Sequence, residues 1–378
     1  MGEVYFKNRP RPASNGMKKF KVGILGATGM VGQKYISLLE NHPWFKVVYL
    51  AASANSAGLT YAESVKNRWH MNKPIPEVVR NIAVEEVENV ENAVKKCDFV
   101  FSAFEISDKN LVREIEEKYA KLGIPVVSNA SANRQAEDVP MLIPEINSDH
   151  LKMIKIQQKN RKWDKGFIVV KPNCSLQSYI TPIYALIQAG YPVKKIMITT
   201  LQAVSGAGYP GVASLDMIDN VVPFIGGEEE KTEEEPLKIL SKIVNNKFVK
   251  NKEIKISATC TRVPVIDGHL ASVNILFKNK KPTKEQVIKI WSEFKSIPQE
   301  LKLPFAPIYP IIYREEENRP QPKKDRDTDK GMAVTVGRLR DCKVFDYKFV
   351  ALSHNTVRGA AGGGILNAEL LVKEGYIK

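Results

Sequence analysis

The feature that most restricts the fold is Lys21-Val-Gly-Ile-Leu-Gly26-Ala-Thr-Gly29-Met-Val-Gly32, an apolar run, three evenly spaced glycines and the start of a periodic segment over 29–41. A strand that ends in a glycine turn and feeds a helix brings bare backbone to the helix N-terminus. The unpaired N–H groups there suit a pyrophosphate. The spacing differs by one residue from G-x-G-x-x-G but works by the same physics. A glycine pattern alone also serves plain turns; the strand before it and the helix after it favour a dinucleotide. Further strands over 45–52 and 98–104, a helix over 108–122 and a strand over 124–129 repeat the alternation. That grammar predicts a parallel sheet with helices on both faces.

After a strand over 166–170 the pattern changes. Segments 195–203, 253–265, 269–277, 331–338 and 345–351 have period-two character, as strands of a mixed or antiparallel sheet do. A chain of 378 residues exceeds what one core usually supports. The expected class is α/β: a Rossmann-type doubly wound nucleotide domain plus an α+β catalytic and dimerisation domain with a largely antiparallel mixed sheet. The expected division is a disordered arm over 1–19, an NADP-binding domain over 20–172, a catalytic and dimerisation domain over 173–353, and a segment over 354–378 whose amphipathic helix returns to the nucleotide domain. Residues 314–330, dense in charge and proline, read as loop.

Composition removes several classes of function. Hydrophobic content of 43% and charged content of 26% fit a soluble globular chain, and no apolar run is long enough for a membrane span. The start of the chain lacks the apolar stretch of a secretory signal. Four cysteines, at 97, 174, 260 and 342, form no C-x-x-C pair and share no metal spacing with the histidines. This predicts a reducing, cytoplasmic setting and no metal. The net charge of +14 raises nucleic-acid binding, but the bases are spread, interleaved with acids and free of stacking aromatics. A positive field equally suits an anionic cofactor and a phosphorylated substrate.

Strand 45–52 runs into Ser53-Ala-Asn-Ser56, where an NAD enzyme places a carboxylate on the ribose diol. No acid is present. The hydroxyls of Ser53 and Ser56 can donate to a 2′-phosphate, which favours NADP, although no partner arginine is evident.

Pro172-Asn173-Cys174-Ser175 leads into an apolar segment over 175–189 closed by Gly190. This predicts Cys174 at a helix N-terminus, with its thiol pKa lowered by the dipole and free amides, and a kink at Pro182. Cys97, Cys260 and Cys342, in or beside strands, read as inert thiols. Gln202 lies within a strand that breaks into Ser205-Gly206-Ala-Gly208; a mid-strand amide before a flexible turn suits a substrate contact and equally a sheet edge. Arg262 and His269 flank a strand and turn that can bring both to one site. Each alone has an ordinary reading, as a surface ion pair and a satisfied polar group. A cysteine, a histidine and an arginine together are what thiol-based reduction of an activated acid requires.

These segments, with Ser128-Asn-Ala-Ser-Ala-Asn-Arg134, Gly226-Gly-Glu-Glu-Glu-Lys231 and Asn355-Thr-Val-Arg-Gly-Ala-Ala-Gly362, resemble aspartate-semialdehyde dehydrogenase of the archaeal and fungal branch from about residue 20 onward. The resemblance implies that Cys174 is acylated and that His269 is the acid/base. It implies that Gln202 steadies the thioester, Arg262 holds the substrate carboxylate and Glu228 its ammonium, and that Arg134 and Lys231 bind phosphate. It assigns Gly26, Thr28, Gly29, Met30, Val31, Ser53, Ser56, Ser205, Gly206 and Asn355 to NADP. Reductive dephosphorylation of L-aspartyl 4-phosphate, a step toward lysine, threonine and methionine, by a homodimer or homotetramer is the implied activity. Without the resemblance, Glu228 to Lys231 reads as a solvated acidic helix start. One departure is that Leu176 and Gln177 follow Ser175 where the family carries a small hydroxylated residue, which bears on the pocket wall. An acyl-CoA reductase of the malonyl-CoA type is the alternative on the same scaffold, and a nucleotide-sensing or nucleic-acid-binding protein the remote one.

Overall fold

The computed structural model describes residues 19–378; apart from Lys19, the arm expected over 1–19 lies outside the described residues. Six strands, β1 (Phe20–Leu25), β2 (Phe45–Ala52), β3 (Val84–Glu86), β4 (Phe99–Ser102), β5 (Val126–Ser128) and β6 (Ile168–Val170), form a parallel sheet in the order β3-β2-β1-β4-β5-β6. β4, β5 and β6 are buried at every position, because helices cover both faces and leave no solvated side to alternate toward. Helix Met30–Leu39 follows β1, and helix Lys109–Lys121 starts where Asp108 accepts from the amides of Asn110 and Leu111, a side-chain cap.

The second sheet contains β7 (Val193–Gln202), β10 (Lys255–Arg262), β11 (His269–Phe277), β12 (Ile311–Arg314), β13 (Val334–Asp341) and β14 (Tyr347–Ser353), ordered β10-β7-β11-β14-β13-β12. The three inner pairings are antiparallel and the two outer ones parallel. β11 alternates buried and half-buried residues along its length, the mark of a sheet covered on one face. A hairpin, β8 (Lys242–Val244) and β9 (Lys247–Val249), stands apart. One apolar core continues from Val126 and Ile168 through Ile183 to Ile198, Val273 and Trp291. Trp291 closes it by donating its indole N–H to the Pro182 carbonyl at 2.9 Å.

Some expectations change. Helix Ile180–Gln188 has Pro182 in its first turn, where the missing N–H has no intrahelical partner to lose, so no kink is required. Helix Gly362–Lys373 is buried on nearly all sides and packs with Tyr35, Ile36 and Phe101 in the nucleotide-domain core, so it is not amphipathic. Residues 314–330 hold a short helix, Pro322–Asp325. The fully buried Asp325 there takes bonds from Arg319 and the Gln321 amide, so the local charge density closes on itself.

Candidate active site

Three strand ends converge beside the turn that follows β6. Gln202 and Arg262 close β7 and β10 in register, while His269 opens β11 one position beyond the Leu270–Leu201 pair. Cys174 approaches from Pro172-Asn173, and its sulfur lies 3.3 Å from His269 Nε2. The Ala203 amide donates to His269 Nδ1 at 3.0 Å. The neutral imidazole therefore carries its proton on Nε2 and aims it at sulfur. Burial, reinforced by Arg262, brings the His269 pKa down to about 3, so the ring is uncharged at neutral pH.

The lowered thiol pKa expected for Cys174 is not what the site produces. Cys174 precedes a 3-10 turn, Ser175–Ser178, and the Ser175 amide that could face sulfur donates instead to Asn173 Oδ1 at 2.7 Å. Burial, followed by the charge of Glu228, pushes the thiol above the ordinary value; Lys171, Arg134 and Arg262 oppose it. Leu176 and Gln177 leave the pocket wall alone. Leu176 is fully buried in the core, and Gln177 accepts from Arg358.

Glu228 is no solvated helix start. It is buried at the first position of helix Glu228–Ile239 and receives both contacts of the Asn173 amide, at 2.9 and 3.0 Å, together with Gln202 at 3.2 Å and Lys231 at 2.9 Å. Burial opposes its ionisation, but Lys231 and these donors hold its carboxyl below the usual range. Arg134 reaches the same turn by another route. It pairs with Glu235 at 3.0 Å, and Glu235 accepts from the Asn173 backbone at 2.6 Å. Glu235 was missed in the sequence although Glu228, Lys231 and Glu235 share one helix face, a spacing that could have exposed it.

Gln202 is buried on an inner strand, so the sheet-edge reading fails. Arg262 is equally buried and donates to the Ala203 carbonyl at 2.9 Å; among the described residues no carboxylate pairs with it. Gly206 explains itself by contact: a Cβ there would stand 2.9 Å from Arg262 Nη1 and 3.0 Å from His269 Cε1. Beside it, Ser205 donates to Asp267 at 2.7 Å and accepts from Asn355 at 2.8 Å, while Asn355 accepts from the Gly268 amide.

At the other end of the cleft the glycines divide their work. Gly26 has φ 76°, and Gly32 is so close to the Gly26 carbonyl that a Cβ would lie 2.2 Å from it. A Cβ at Gly29 would meet nothing nearer than the Gly26 carbonyl, at 3.5 Å, so its bareness leaves open space outside the helix. That helix has neither a capping side chain nor an acid in its first turn, which leaves the amides of Met30 and Val31 open to an anion. Thr28 contributes its carbonyl to Gln33. Ser53 is exposed and Ser56 buried. Ser56 accepts from an arginine after all: Arg68 Nη2 stands 2.9 Å from its Oγ. Lys171, buried beside Arg134 and Cys174, was also not singled out.

The chain matches two family models, "Semialdehyde dehydrogenase, NAD binding domain" over residues 21–154 and "Semialdehyde dehydrogenase, dimerisation domain" over 183–358. It is 47% identical over 359 residues to aspartate-semialdehyde dehydrogenase of Archaeoglobus fulgidus, covering 95% of this chain and 100% of that protein. The chain belongs to the aspartate-semialdehyde dehydrogenase family. A family member from Schizosaccharomyces pombe is 45% identical, with 94% and 99% covered. The solved aspartate-semialdehyde dehydrogenase with NADP from Candida albicans superimposes at a TM-score of 0.87 with 38% identity, covering 95% of this chain and 100% of that one. Family membership makes this chain an oxidoreductase with a nicotinamide-nucleotide domain and a dimerisation domain. Among the described residues no helix is long and apolar enough to cross a membrane.

Proposed function

We propose that this chain carries out NADP-dependent reductive dephosphorylation of L-aspartyl 4-phosphate to L-aspartate 4-semialdehyde through a thioester on Cys174. The observation that carries the reading is Cys174 at 3.3 Å from His269 beside the buried Arg262, a cation with no protein carboxylate of its own among the described residues. A buried guanidinium in that condition suits a ligand carboxylate. Arg262 binds the substrate carboxylate and Glu228 its ammonium. Attack of the Cys174 sulfur on the acyl carbon forms the C–S bond and breaks the bond from that carbon to the phosphate oxygen. The thiol proton leaves with the phosphate, which departs toward Arg134 and Lys231, whose charges stabilise it. Gln202 steadies the thioester carbonyl.

NADPH, when bound, supplies the hydride. Its pyrophosphate suits the open amides of Met30 and Val31 at Gly26 to Val31, its 2′-phosphate the hydroxyls of Ser53 and Ser56, and its nicotinamide half the Ser205, Gly206 and Asn355 cluster. His269 is the acid/base partner of sulfur: as the C–S bond breaks, the departing thiolate meets the Nε2–H. The same reading divides the chain into a nucleotide unit over 20–172, a catalytic and dimerisation unit over 173–353 and a returning segment over 354–378, working as a homodimer or homotetramer in the cytoplasm. The CoA-thioester and nucleic-acid alternatives find no support in the family assignment.

Purified protein given aspartate semialdehyde, NADP and inorganic phosphate tests the reading. Phosphate-dependent NADPH formation is expected. Phosphate-independent oxidation, or reduction of malonyl-CoA in its place, would reject it.

A further inference from the structure

The short strap over 67–70 is built to hold one side chain over the end of β2. Helix Tyr61–Ser64 is capped by Thr60 and Glu63, and Asn67, with φ 63°, turns the chain back. Gln33, fully buried on the glycine-turn helix, then staples the returning chain. Its amide donates to the Arg68 carbonyl at 2.8 Å and the Thr28 carbonyl at 2.9 Å, and accepts from the His70 amide at 2.8 Å. The far side is fixed from across the cleft, where the His70 ring stacks on Tyr209 with centroids 4.0 Å apart and planes at 24°. Tyr209 follows the Ser205 to Gly208 turn, so the strap ties the nucleotide helix to the loop beside the catalytic strands.

The guanidinium this strap presents is half committed. Arg68 Nε donates to the Ser64 carbonyl at 2.7 Å and Nη2 to Ser56 Oγ at 2.9 Å. Nη1 has no protein acceptor among the described residues, no carboxylate there pairs with the side chain, and the residue is exposed. Ser56, accepting from Arg68, keeps its own O–H to donate, and the Ser53 hydroxyl lies at the same strand end. A planar cationic fork with two hydroxyl donors matches a phosphate dianion. A free ribose diol would find donors and no carboxylate to accept its protons.

We propose that Arg68 is the residue that selects the cofactor, receiving the 2′-phosphate of NADP on its free edge while Ser56 and the 67–70 strap hold it in place. This rests on the NADP reading given above. The test is direct binding of NADP and NAD, by quenching of tryptophan fluorescence, to wild type, Arg68→Gln and Arg68→Lys. Wild type is expected to bind NADP at least about tenfold tighter than NAD. Loss of a charge-assisted contact in Arg68→Gln should weaken NADP about ten- to a hundredfold and leave NAD within about twofold, with Arg68→Lys between. A preference for NADP that survives Arg68→Gln, or equal weakening of both cofactors, overturns the assignment of Arg68 alone. A wild type that binds NAD as tightly as NADP overturns the NADP reading as well.

Discussion

Cys174 and Cys342 exchange the chemical characters their sequence settings suggest. Burial and Glu228 raise the thiol of Cys174, whereas Cys342 sits half-buried after β13, where the amides of Val344 and Phe345 hold its thiol below the ordinary value. These amides favour the Cys342 thiolate, a tendency that the inert reading of this residue does not include. Cys97 is half-buried, its thiol pushed up to about 12 by burial and Asp98, and Cys260 is fully buried; both keep the inert assignment. Because the thiolate is the reactive form, iodoacetamide should label Cys342 faster than Cys174 in the substrate-free protein, as peptide mass mapping would show. In a Cys342→Ser background the labelling of Cys174 should rise with pH only beyond the ordinary thiol range, and Glu228→Gln should move that rise to lower pH. Fast, pH-independent labelling of Cys174 at neutral pH would contradict this.

At the scale of elements, the long strands and the glycine turn were legible because each carries its own signal: β2 falls where the strand, helix, strand order placed it and β11 where alternation did. β3, β12 and the β8–β9 hairpin, of three or four residues each, are too short to display one. Helix Glu228–Ile239 was legible as a helix start but not as part of the site, since only the fold brings Asn173 over its Glu228, Lys231 and Glu235 face. That face carries a prediction. Lys231→Ala should raise the KM for phosphate in the semialdehyde-oxidising direction by about ten- to a hundredfold, the equivalent of one charge-assisted contact of roughly 1.5–3 kcal/mol. Glu228→Ala should weaken the amino-acid substrate instead. Steady-state kinetics with phosphate varied decide it, and a phosphate KM indifferent to Lys231 would remove that residue from the site.

Across the whole molecule, much of what the sequence concealed lies where distant segments meet. Glu235, Lys171 and the His70–Tyr209 stack depend on chain segments far apart in sequence meeting in space, and Arg68 on a strap folded back onto Ser56, so no local pattern announces them. Lys171 gives this a thermodynamic signature. Burial, with Arg134 next, brings its pKa down to about 7 from an ordinary 10.5. Between those values the unfolded chain keeps a proton that the folded chain releases, so unfolding free energy rises with pH across that window and the penalty is full below about 7. Thermal melts should show Tm rising from pH 7 to 9, with a shallower rise in Lys171→Met. A flat wild-type profile, or an unchanged slope in the variant, would contradict the assignment. Lys238 shifts in the same direction, so the variant should not abolish the rise.

The covalent step at Cys174 is the claim on which the rest depends, and a single turnover without phosphate tests it directly. Mixing the protein with aspartate semialdehyde and NADP in phosphate-free buffer should release a burst of about one NADPH per active site and then stall, because the thioester lacks its acceptor. Intact-mass and peptide analysis should place the acyl group on Cys174, and added phosphate should remove it and restart turnover. Continued turnover without phosphate, or a burst that leaves Cys174 unmodified, would contradict the account.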